Sequence, residues 1–475
     1  VGAGAAGTAA GWAAAEKGLK VVTLEKQAMV GGTGKFSEGI FAVESSMQRN
    51  WNYGLTKDEA FQKIMNYGHW RGNAKMVRAF VDKSGETIDW MQANGVKFEK
   101  LFSNYPNGLY TWHIYEGRGA GWINLFMKKY QDAGQTLLLN TWGEKLIEEN
   151  GRVVGVEATN KAGDKITVRS KTTIIATGGF FDNKEMREKY LRFADADGLA
   201  QTGKTGDGIR MAQLVGAGLS GMHTVAGNAP SLPDNPQIQQ FGEVPELTQG
   251  RCALAQPWLW VDHTGRRFFN ESRGSVFVDV YTAMTSAGGV SYTIFDQEKM
   301  DRLINKGAVL PFNAIVLAGT PLKELPKTWK VGMERGWAFK ADTIEELALQ
   351  IGVPPQNLLD TIKKQNGYAE KGQDPEFGKK PEHLEKFDLQ KGPYYALKAI
   401  RCFFLTLGGV QVTPRFEAKT PQGDVIPNLF VVGQDMGGLY DSSYDLRCEG
   451  SASSFAMTSG RVAALNALAD IEKGI

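Results

Sequence analysis

Three glycines and one acid near the start of the chain have the types and spacing needed to bind a dinucleotide. Gly2, Gly4 and Gly7 form a GxGxxG pattern, and Glu25 ends the apolar run Val21–Leu24. Glycines at these positions allow a tight turn from strand to helix, a close approach of the backbone to a pyrophosphate, and close packing of the helix on its strand. A carboxylate at the end of the second strand is suited to accept hydrogen bonds from ribose hydroxyls. The pattern therefore predicts a dinucleotide site.

The residues around this pattern are typical of the Rossmann unit that holds such a site. Thr8–Lys17 has the composition of a helix, Gly18 ends it, and Val21–Leu24 has the pattern of a buried strand. With 57 glycines in 475 residues a GxGxxG alone can arise by chance, and this context favours the dinucleotide site over a chance turn. A Rossmann strand ordinarily contains several residues before its glycines, and only Val1 precedes them here. We therefore expect the full-length protein to contain earlier residues, and with them any targeting segment or N-terminal domain.

The overall composition is that of an ordinary globular enzyme. Hydrophobic residues make up 42% and charged residues 22% of the 475, and this length predicts roughly two to three domains. The 54 basic and 52 acidic residues leave a net charge of +2, so no global field favours nucleic acid or a membrane surface, and no apolar run reaches the ~18 residues that span a bilayer. The widely separated Cys252, Cys402 and Cys448, and five histidines without ligand spacing, predict no disulfide framework and no metal site. A small molecule is the expected partner.

Further glycine-rich segments follow the first one. Gly31–Gly39 lies a few residues beyond Glu25, and its glycines would bring backbone N–H groups close to a large planar ligand; a simple surface turn is the alternative. The predicted strand 172–176 ends in Thr177-Gly178-Gly179, at the edge where open α/β sheets bind ligands. Thr205–Gly208 opens a helix whose N-terminus again offers backbone donors. Together these loops favour a long, two-headed cofactor.

The pattern of elements divides the chain into two parts. Regular βαβ character covers residues 1–222 and returns at 404–475, where 428–432 is typical of a buried strand and 451–469 of a long helix. Residues 223–403 lose this character, contain proline-rich connections and have a possible hairpin at 258–269. We therefore predict an α/β fold with a discontinuous Rossmann-like domain, 1–222 plus 404–475, and an inserted α+β domain, 223–403. Further predicted elements are helices at 57–67, at 76–94 and near residues 296, 344 and 355, and a hairpin at 153–168.

Taken in order, these segments resemble the flavoprotein family of fumarate reductase, succinate dehydrogenase, urocanate reductase and L-aspartate oxidase. The resemblance covers nearly the whole chain and rests on Gly2–Gly7, Glu25–Lys26, Gly31–Gly32, Ala176–Phe180, Thr205–Gly208, Gly265–Glu271, Thr406–Gly409 and Gly433–Arg461. It implies an extended FAD and makes the inserted domain a capping domain that closes over flavin and substrate. The residues implied to bind FAD are Gly2, Gly4, Ala5, Ala6, Gly7, Glu25, Lys26, Gly31, Gly32, Thr33, Gly39, Ala176, Thr177, Gly178, Thr205, Asp207, Gly433, Gln434, Gly450, Ser451 and Ala452.

The resemblance also bears on how FAD is attached. Some members of the family bind FAD covalently through a histidine in the second glycine loop. This sequence has no histidine between Val30 and Ala42. We therefore expect FAD to be bound noncovalently.

The family's proton donor has no direct counterpart in this chain. In soluble fumarate reductases it is an arginine five residues after the asparagine of the Asn-Glu pair, a position that is Ser275 here. The nearest arginine is Arg273, which is the first candidate donor, with a solvated surface arginine as the alternative. Tyr440 and Tyr444, in a stretch that is longer than in fumarate reductases, are further candidates to protonate a substrate or support an oxyanion, with packing as the alternative.

The family's carboxylate-binding positions are mostly replaced. Phe404 and Asn228 stand where the family has carboxylate-binding histidines, whereas Arg447 matches a substrate-binding arginine, with an ion pair to Glu449 as the alternative. The predicted substrate-binding residues are Asn228, Phe404, Thr406, Gly408 and Arg447. A small dicarboxylate needs charge-assisted partners at both ends, because desolvating an unpaired carboxylate is costly. Fumarate is therefore not the expected substrate. We expect instead a substrate with one polar end and one flat, apolar end.

The leading prediction is an FAD-dependent reductase of an activated C=C bond in an α,β-unsaturated carboxylate or carbonyl compound bulkier than fumarate. Such chemistry needs a flavin hydride, donors that polarise the activating group, and an acid. A dehydrogenase of a steroid-like ketone and an electron-transfer flavoprotein subunit are the alternatives. Because there is no second GxGxxG for a nicotinamide, we expect electrons from an external donor or from an N-terminal redox domain.

Overall fold

The computed structural model describes residues 1–103, 108–193, 197–198, 203–234, 244–313, 315–440, 444 and 447–474. Its α-helices are α1 (Ala5–Ala15), α2 (Ser46–Asn50), α3 (Lys57–Tyr67), α4 (Ala74–Ala93), α5 (Arg118–Asp132), α6 (Lys184–Tyr190), α7 (Asp207–Leu214), α8 (Pro245–Leu254), α9 (Phe277–Ser286), α10 (Gln297–Asn305), α11 (Leu325–Arg335), α12 (Ile344–Ile351), α13 (Pro355–Lys371) and α14 (Ser451–Glu472). Short 3₁₀ turns lie at Gly32–Phe36, Glu271–Arg273, Pro381–His383 and Gly433–Asp435.

The strands are β1 (Val22–Leu24), β2 (Gly39–Phe41), β3 (Phe98–Phe102), β4 (Trp112–Tyr115), β5 (Thr136–Leu138), β6 (Thr141–Glu149), β7 (Arg152–Asn160), β8 (Lys165–Arg169), β9 (Thr173–Ile175), β10 (Asp197–Gly198), β11 (Leu219–Ser220), β12 (Val225–Ser231), β13 (Leu259–Val261), β14 (Val290–Asp296), β15 (Ala338–Ala341), β16 (Tyr394–Thr406), β17 (Gly409–Val410), β18 (Glu417–Lys419) and β19 (Val425–Val431). The fold is mixed α/β, as predicted.

The first residues of the chain join two pairs of parallel strands into one sheet. β1 pairs with β5 and β9 with β19, both in parallel. The Val1 amino group donates to the Ile174 carbonyl at 2.7 Å, and the Ala176 N–H donates to the Val1 carbonyl at 2.8 Å. On the other side the Gly2 N–H donates to the Leu24 carbonyl at 2.7 Å. The glycine loop therefore starts at the carboxyl edge of a central sheet position, as the Rossmann pattern predicts.

Helix α1 packs closely against α14. Of the 11 residues of α1, all but Trp12 are buried, because alanine and glycine leave little side chain between the helix and its neighbours. A Cβ atom at Gly460 would lie 2.2 Å from the Ala6 carbonyl oxygen, so only glycine fits at this crossing. The last helix of the chain thereby supports the first turn of α1.

A second sheet and a second core lie in the inserted segment. β16 is a 13-residue strand that pairs with β14, β15, β12 and β10. One hydrophobic core contains residues from 5 to 226 and from 405 to 467, and another contains residues from 229 to 399. The boundaries at 222/223 and 403/404 remain predictions, and β12 and β16 are the strands that run between the two cores.

Some predicted elements were confirmed and others were wrong. The hairpin at 153–168 is β7 and β8, and the predicted helices 57–67 and 76–94 are α3 and α4. The hairpin at 258–269 does not form, because β13 pairs with β14 and the buried Arg267 instead binds Glu271 and Asp374. Strand β6 was missed because its exposed charged residues mask the alternation, and its pairing with β7 stabilises it. Among the described residues, the helices include none that combines the length and apolar character needed to cross a bilayer.

Candidate active site

A cavity of about 440 Å³ lies where the predicted cofactor loops meet the inserted segment. Ligand sites in proteins commonly have volumes of ~300–1,000 Å³. On the inserted side its lining includes Gly227, Asn228 and Ser275–Val278. Of the predicted residues, those that line it are Gly2, Gly4, Ala5, Ala6, Glu25, Lys26, Gly32, Thr33, Gly39, Asn228, Ala176, Thr177, Gly178, Asp207, Phe404, Gly433, Gln434, Tyr444, Gly450 and Ala452.

The first glycine loop has no room for a side chain at Gly2 or Gly7. A Cβ at Gly2, whose φ is +97°, would lie 2.3 Å from the Ala176 carbonyl oxygen, and one at Gly7 would lie 1.8 Å from the Gly2 carbonyl oxygen. Helix α1 begins at Ala5 without a side-chain cap, so its first N–H groups and the positive end of its dipole lie at the cavity. This is the arrangement that binds a pyrophosphate.

Glu25 fixes the same loop to the end of β1. One of its carboxylate oxygens accepts from the Ala3 N–H at 2.8 Å and the other accepts from the Gln27 N–H at 2.8 Å. Each carboxylate oxygen has a second lone pair, so the buried group can still accept from a ribose hydroxyl. Glu25 thus lies in the position that its predicted role requires.

Lys26, Thr205 and Asp207 form one cluster beside the cavity. The Lys26 Nζ atom donates to the Asp207 Oδ2 atom and to the Thr205 Oγ1 atom, both at 2.7 Å. Burial alone would raise the pKa of Asp207, but the bonds and charges of Lys26, Thr205 and Arg210 hold it below its usual range. Lys26 and Asp207 line the cavity, whereas Thr205 lies outside the lining and forms hydrogen bonds with both of them.

The second glycine loop lies directly on the first. The Gly31 N–H donates to the Ala3 carbonyl at 2.8 Å. A Cβ at Gly34 would lie 2.7 Å from the Ala5 Cβ atom, and a Cβ at Gly119 would lie 1.9 Å from the Gly34 carbonyl oxygen. The loop is therefore enclosed between α1 and α5, which excludes the simple surface turn as its explanation.

Asp435 organises the end of β9 and was missed in the sequence. Its buried carboxylate accepts the Gly178 N–H at 3.1 Å, the Gly179 N–H at 2.9 Å, the Thr177 N–H and, at 2.9 Å, the Thr177 hydroxyl. The amides of the Thr-Gly-Gly turn thus bind a carboxylate of the protein itself, and the turn presents its other surface to the cavity. An acid directly after Gly433-Gln434, at the end of a buried strand, was the available signal.

Lys204 is a second residue that the sequence analysis missed. Its Nζ atom donates to the Thr33 Oγ1 atom at 2.9 Å and to the Phe404 carbonyl at 3.4 Å, and lies 4.9 Å from the centre of the Phe181 ring. Burial lowers the pKa of this lysine to about 7, against the smaller opposing effect of Asp182. Lys204 therefore links the second glycine loop to the predicted substrate side with a group that titrates near neutrality.

The substrate side has an aromatic wall. The rings of Phe404 and Tyr444 meet edge to face with centroids 5.6 Å apart, and Tyr440 packs behind Tyr444 at 5.8 Å. Tyr440 is buried and does not line the cavity. The three residues between the two tyrosines (441–443) lie outside the described residues.

Asn228 supplies an amide next to this wall. Its Oδ1 atom accepts from the guanidinium of the buried Arg251, which also donates to the Pro230 carbonyl at 3.0 Å. Asn228 lines the cavity, and because its Oδ1 atom accepts from Arg251, its Nδ2 atom is the group that can donate to a ligand.

Several predicted residues lie outside the cavity lining. Arg273 is 44% exposed and forms an ion pair with Asp279, and Arg447 is exposed with its guanidinium 6.0 Å from the Tyr67 ring. The structure therefore brings neither arginine to the place that its predicted role requires. The remaining residues outside the lining are Gly7, Gly31, Thr205, Thr406, Gly408, Tyr440 and Ser451.

These features together fit FAD. The glycine loops pack so closely that a Cβ at Gly2, Gly7 or Gly34 would collide with neighbouring protein atoms. The first turn of α1 offers N–H donors, and Glu25 offers an acceptor at the far end. Such a site, on a Rossmann sheet with a second layer over the cavity, defines the class of FAD-dependent oxidoreductases. The FAD binding domain family model matches residues 1–450, and the chain belongs to this family.

Known proteins agree with this class. The vinyl phenol reductase of Lactiplantibacillus plantarum is 31% identical over 471 residues, which cover 97% of this chain and 94% of that protein. An NADH:acrylate oxidoreductase of Vibrio harveyi is 28% identical over 403 residues, 82% of this chain but only 36% of that protein. The open conformation of a flavocytochrome c3 fumarate reductase shares the fold, with a TM-score of 0.71 and 24% identity over 98% of this chain and 77% of that one.

Proposed function

We propose that this protein reduces a C=C bond conjugated to an aromatic ring, with a vinyl phenol as the representative substrate. The observation that carries the proposal is the wall of Phe404 and Tyr444 at the cavity. A flat apolar ring is complementary to such a wall, whereas a carboxylate placed against the two rings would lose its hydration. The similarity to a vinyl phenol reductase supports the same substrate class.

The chain's own residues bind and orient the substrate in this proposal. Bound FAD, when reduced, supplies the hydride. Phe404 and Tyr444 hold the substrate ring, and the amide donors of Asn228 fix its orientation. We assign the proton that reaches carbon to the Tyr444 hydroxyl, because Tyr444 lines the cavity whereas the side chain of Arg273 is paired with Asp279 outside it.

We further propose that FAD is bound noncovalently and reduced by an external donor or another domain. The second glycine loop contains no histidine, and the chain spans about a third of the related NADH:acrylate oxidoreductase. Acid precipitation should release all of the flavin into the supernatant. Flavin that remained with the protein would contradict the noncovalent assignment.

The test is reoxidation of the dithionite-reduced protein without oxygen, followed by flavin absorbance. The panel contains 4-vinylphenol, styrene, acrylate, fumarate, urocanate and a 3-ketosteroid. We expect rapid reoxidation by 4-vinylphenol and at least tenfold slower reoxidation by acrylate and fumarate. Faster reoxidation by acrylate would indicate that the substrate is an unsaturated carboxylate. Reoxidation by the steroid alone would favour a steroid dehydrogenase.

A further inference from the structure

Glu38 is a half-buried acid whose carboxylate oxygens are shielded from solvent, and no role described above uses it. It lies between the 3₁₀ turn Gly32–Phe36 and β2, and it lines the cavity. Both of its carboxylate oxygens are shielded from solvent and have no hydrogen-bond partner among the described residues. A buried carboxyl without partners is costly, so such a group in a ligand cavity indicates a missing partner.

The backbone around Glu38 is firmly held. The Tyr115 N–H donates to the Glu38 carbonyl at 2.9 Å, and the Gly119 N–H donates to the Ser37 carbonyl at 2.8 Å. These bonds tie the residue to β4 and to the first turn of α5. The side chain is therefore presented to the cavity from a fixed position.

The charges of two arginines affect the pKa of this carboxyl, although neither arginine donates a hydrogen bond to it. Burial raises the pKa of Glu38 to about 7, and the charges of Arg118 on α5 and Arg251 on α8 oppose this rise. Arg251 is held away by its bonds to Asn228 and Pro230, and its Nη1 atom has no partner among the described residues. The other acids and bases that line the cavity are Glu25, Lys26, Lys35, Lys204, Asp207 and Glu449.

The chemistry of the missing partner follows from these surroundings. A second carboxylate would repel Glu38, and a cation would be repelled by the two arginines. A neutral hydroxyl can donate a hydrogen bond to the carboxylate and suffers neither repulsion. Glu38, Phe404 and Tyr444 line the same cavity, so the hydroxyl that we assign to this partner is that of a phenol.

We propose that Glu38 binds the hydroxyl of the phenolic substrate and accepts its proton during reduction, an inference that rests on the proposed function. A vinyl phenol has no carbonyl to activate its double bond. Loss of the phenolic proton makes the terminal vinyl carbon electron-rich and ready to accept a proton, so a base at the hydroxyl is what this substrate requires. A carboxyl that titrates near 7 is closer to the phenol pKa of ~10 than an ordinary carboxyl is.

The atoms and electrons of this step balance. The phenolic O–H proton moves to the Glu38 carboxylate while the Tyr444 hydroxyl protonates the terminal carbon, which forms a neutral quinone methide. A hydride, which bound reduced FAD would supply, adds to the benzylic carbon, and the resulting phenolate takes its proton back from Glu38. The net addition is one hydride and one proton, and Tyr444 is reprotonated from water.

The test compares Glu38→Gln with the wild-type holoenzyme by binding as well as turnover. Oxidised enzyme is titrated with 4-ethylphenol and with 4-ethylanisole between pH 5.5 and 8.5, followed by perturbation of the flavin absorbance. In the wild type we expect 4-ethylphenol to bind ~10-fold more tightly than the ether, since hydrogen bonds to charged groups contribute most when both partners are buried. This preference should grow with pH as Glu38 ionises around pH 7.

Glu38→Gln should lose most of this preference and its pH dependence, while its FAD content stays at the wild-type level. Glutamine resembles the neutral carboxyl in shape, and Glu38→Asp, which restores an ionisable group, should recover the pH dependence. The matched control is Glu157→Gln on the exposed side of β7, which should behave as wild type.

Turnover separates this inference from the proposed function. If the wild type does not reduce 4-vinylphenol, the proposed function fails. If the wild type reduces it and Glu38→Gln does so at an equal rate, with the pH-dependent preference for 4-ethylphenol intact, the role of Glu38 alone is refuted. We expect Glu38→Gln to reduce 4-vinylphenol at least 100-fold more slowly.

Discussion

The cofactor side and the proposed substrate side of the cavity differ in whether backbone or side-chain atoms form them. The cofactor side consists mainly of backbone, with glycines at Gly2 and Gly34, the N-terminus of α1, and a strand end held by Asp435. The proposed substrate side consists of side chains, among them those of Phe404 and Asn228, which line the cavity. Backbone sites tolerate almost no substitution, whereas side-chain sites can change specificity while the fold is kept.

Gly7→Ala should prevent FAD binding. The added Cβ would lie 1.8 Å from the Gly2 carbonyl oxygen, so the helix and the loop must separate at an expected cost of at least about 3 kcal/mol. Flavin content after purification and thermal unfolding measure the effect. Gly367→Ala in α13, where no atom lies within 4 Å of the added Cβ, is the control and should not destabilise the protein. Full FAD occupancy in Gly7→Ala would refute the importance of this contact.

Asp435→Ala should lower the free energy of unfolding by about 3 kcal/mol, because it leaves the buried amides of Gly178 and Gly179 without an acceptor. Urea denaturation measures this change. The exposed Asp424→Asn should change stability by less than ~0.5 kcal/mol. Equal stability of the two variants would show that Asp435 does not hold the turn.

Lys204→Met should stabilise the FAD-free protein at low pH. The folded pKa of about 7 lies below the usual 10.5, so the buried charge costs stability fully below pH 7, and this cost disappears as the pH rises to 10.5. We expect a gain of roughly 2 kcal/mol at pH 6 and none at pH 10.5. Chemical denaturation at a series of pH values tests this expectation, and a gain that did not depend on pH would contradict the shifted pKa.

Phe404→His should change specificity and leave FAD binding intact. An imidazole in the aromatic wall provides a charge-assisted partner for a carboxylate, so the rate with acrylate relative to 4-vinylphenol should rise about tenfold. Reoxidation of the reduced flavin measures both rates. Phe404→Leu, which adds no hydrogen-bonding group, is the control and should not favour acrylate. Loss of FAD in both variants would mean that this wall also belongs to the cofactor side.

Arg447→Ala should have the smallest effect. The side chain is exposed and its guanidinium lies over the Tyr67 ring, so we expect less than about a twofold change in substrate affinity. Steady-state kinetics with 4-vinylphenol measure it. A tenfold loss of affinity would restore Arg447 as a substrate anchor and weaken the contrast between the two sides.

The same contrast explains what could be predicted from the sequence. Gly7 and Glu25 have partners within the first 25 residues, and the spacing of the glycines and the acid was sufficient to predict the Rossmann unit and the cofactor. Asp435 and the Thr-Gly-Gly turn meet only in three dimensions, more than 250 positions apart in the chain. A pattern of neighbouring residues in the sequence does not indicate a contact between positions so far apart.

Side-chain direction was the second source of error. Arg273 and Arg447 were assigned by position in a family pattern, but a small change in the local backbone decides whether an arginine enters a cavity or meets solvent. Lys204 and Glu38 lie beside predicted cofactor residues and were passed over because neither belongs to a motif. Charged residues inside glycine-rich loops were the signal available for both.

Strand β16 has a mechanical consequence for catalysis. Its first residues form the centre of the inserted sheet, and its last residues, including Phe404, reach the flavin side, with β12 alongside from Val225 to Ser231. Two paired strands resist shear but can twist or bend along their length. Any rotation of the inserted sheet must therefore be absorbed near residues 400–406 and would turn the Phe404 ring. Movement of the inserted sheet away from the cofactor side would thus also weaken the proposed contact between Phe404 and the substrate.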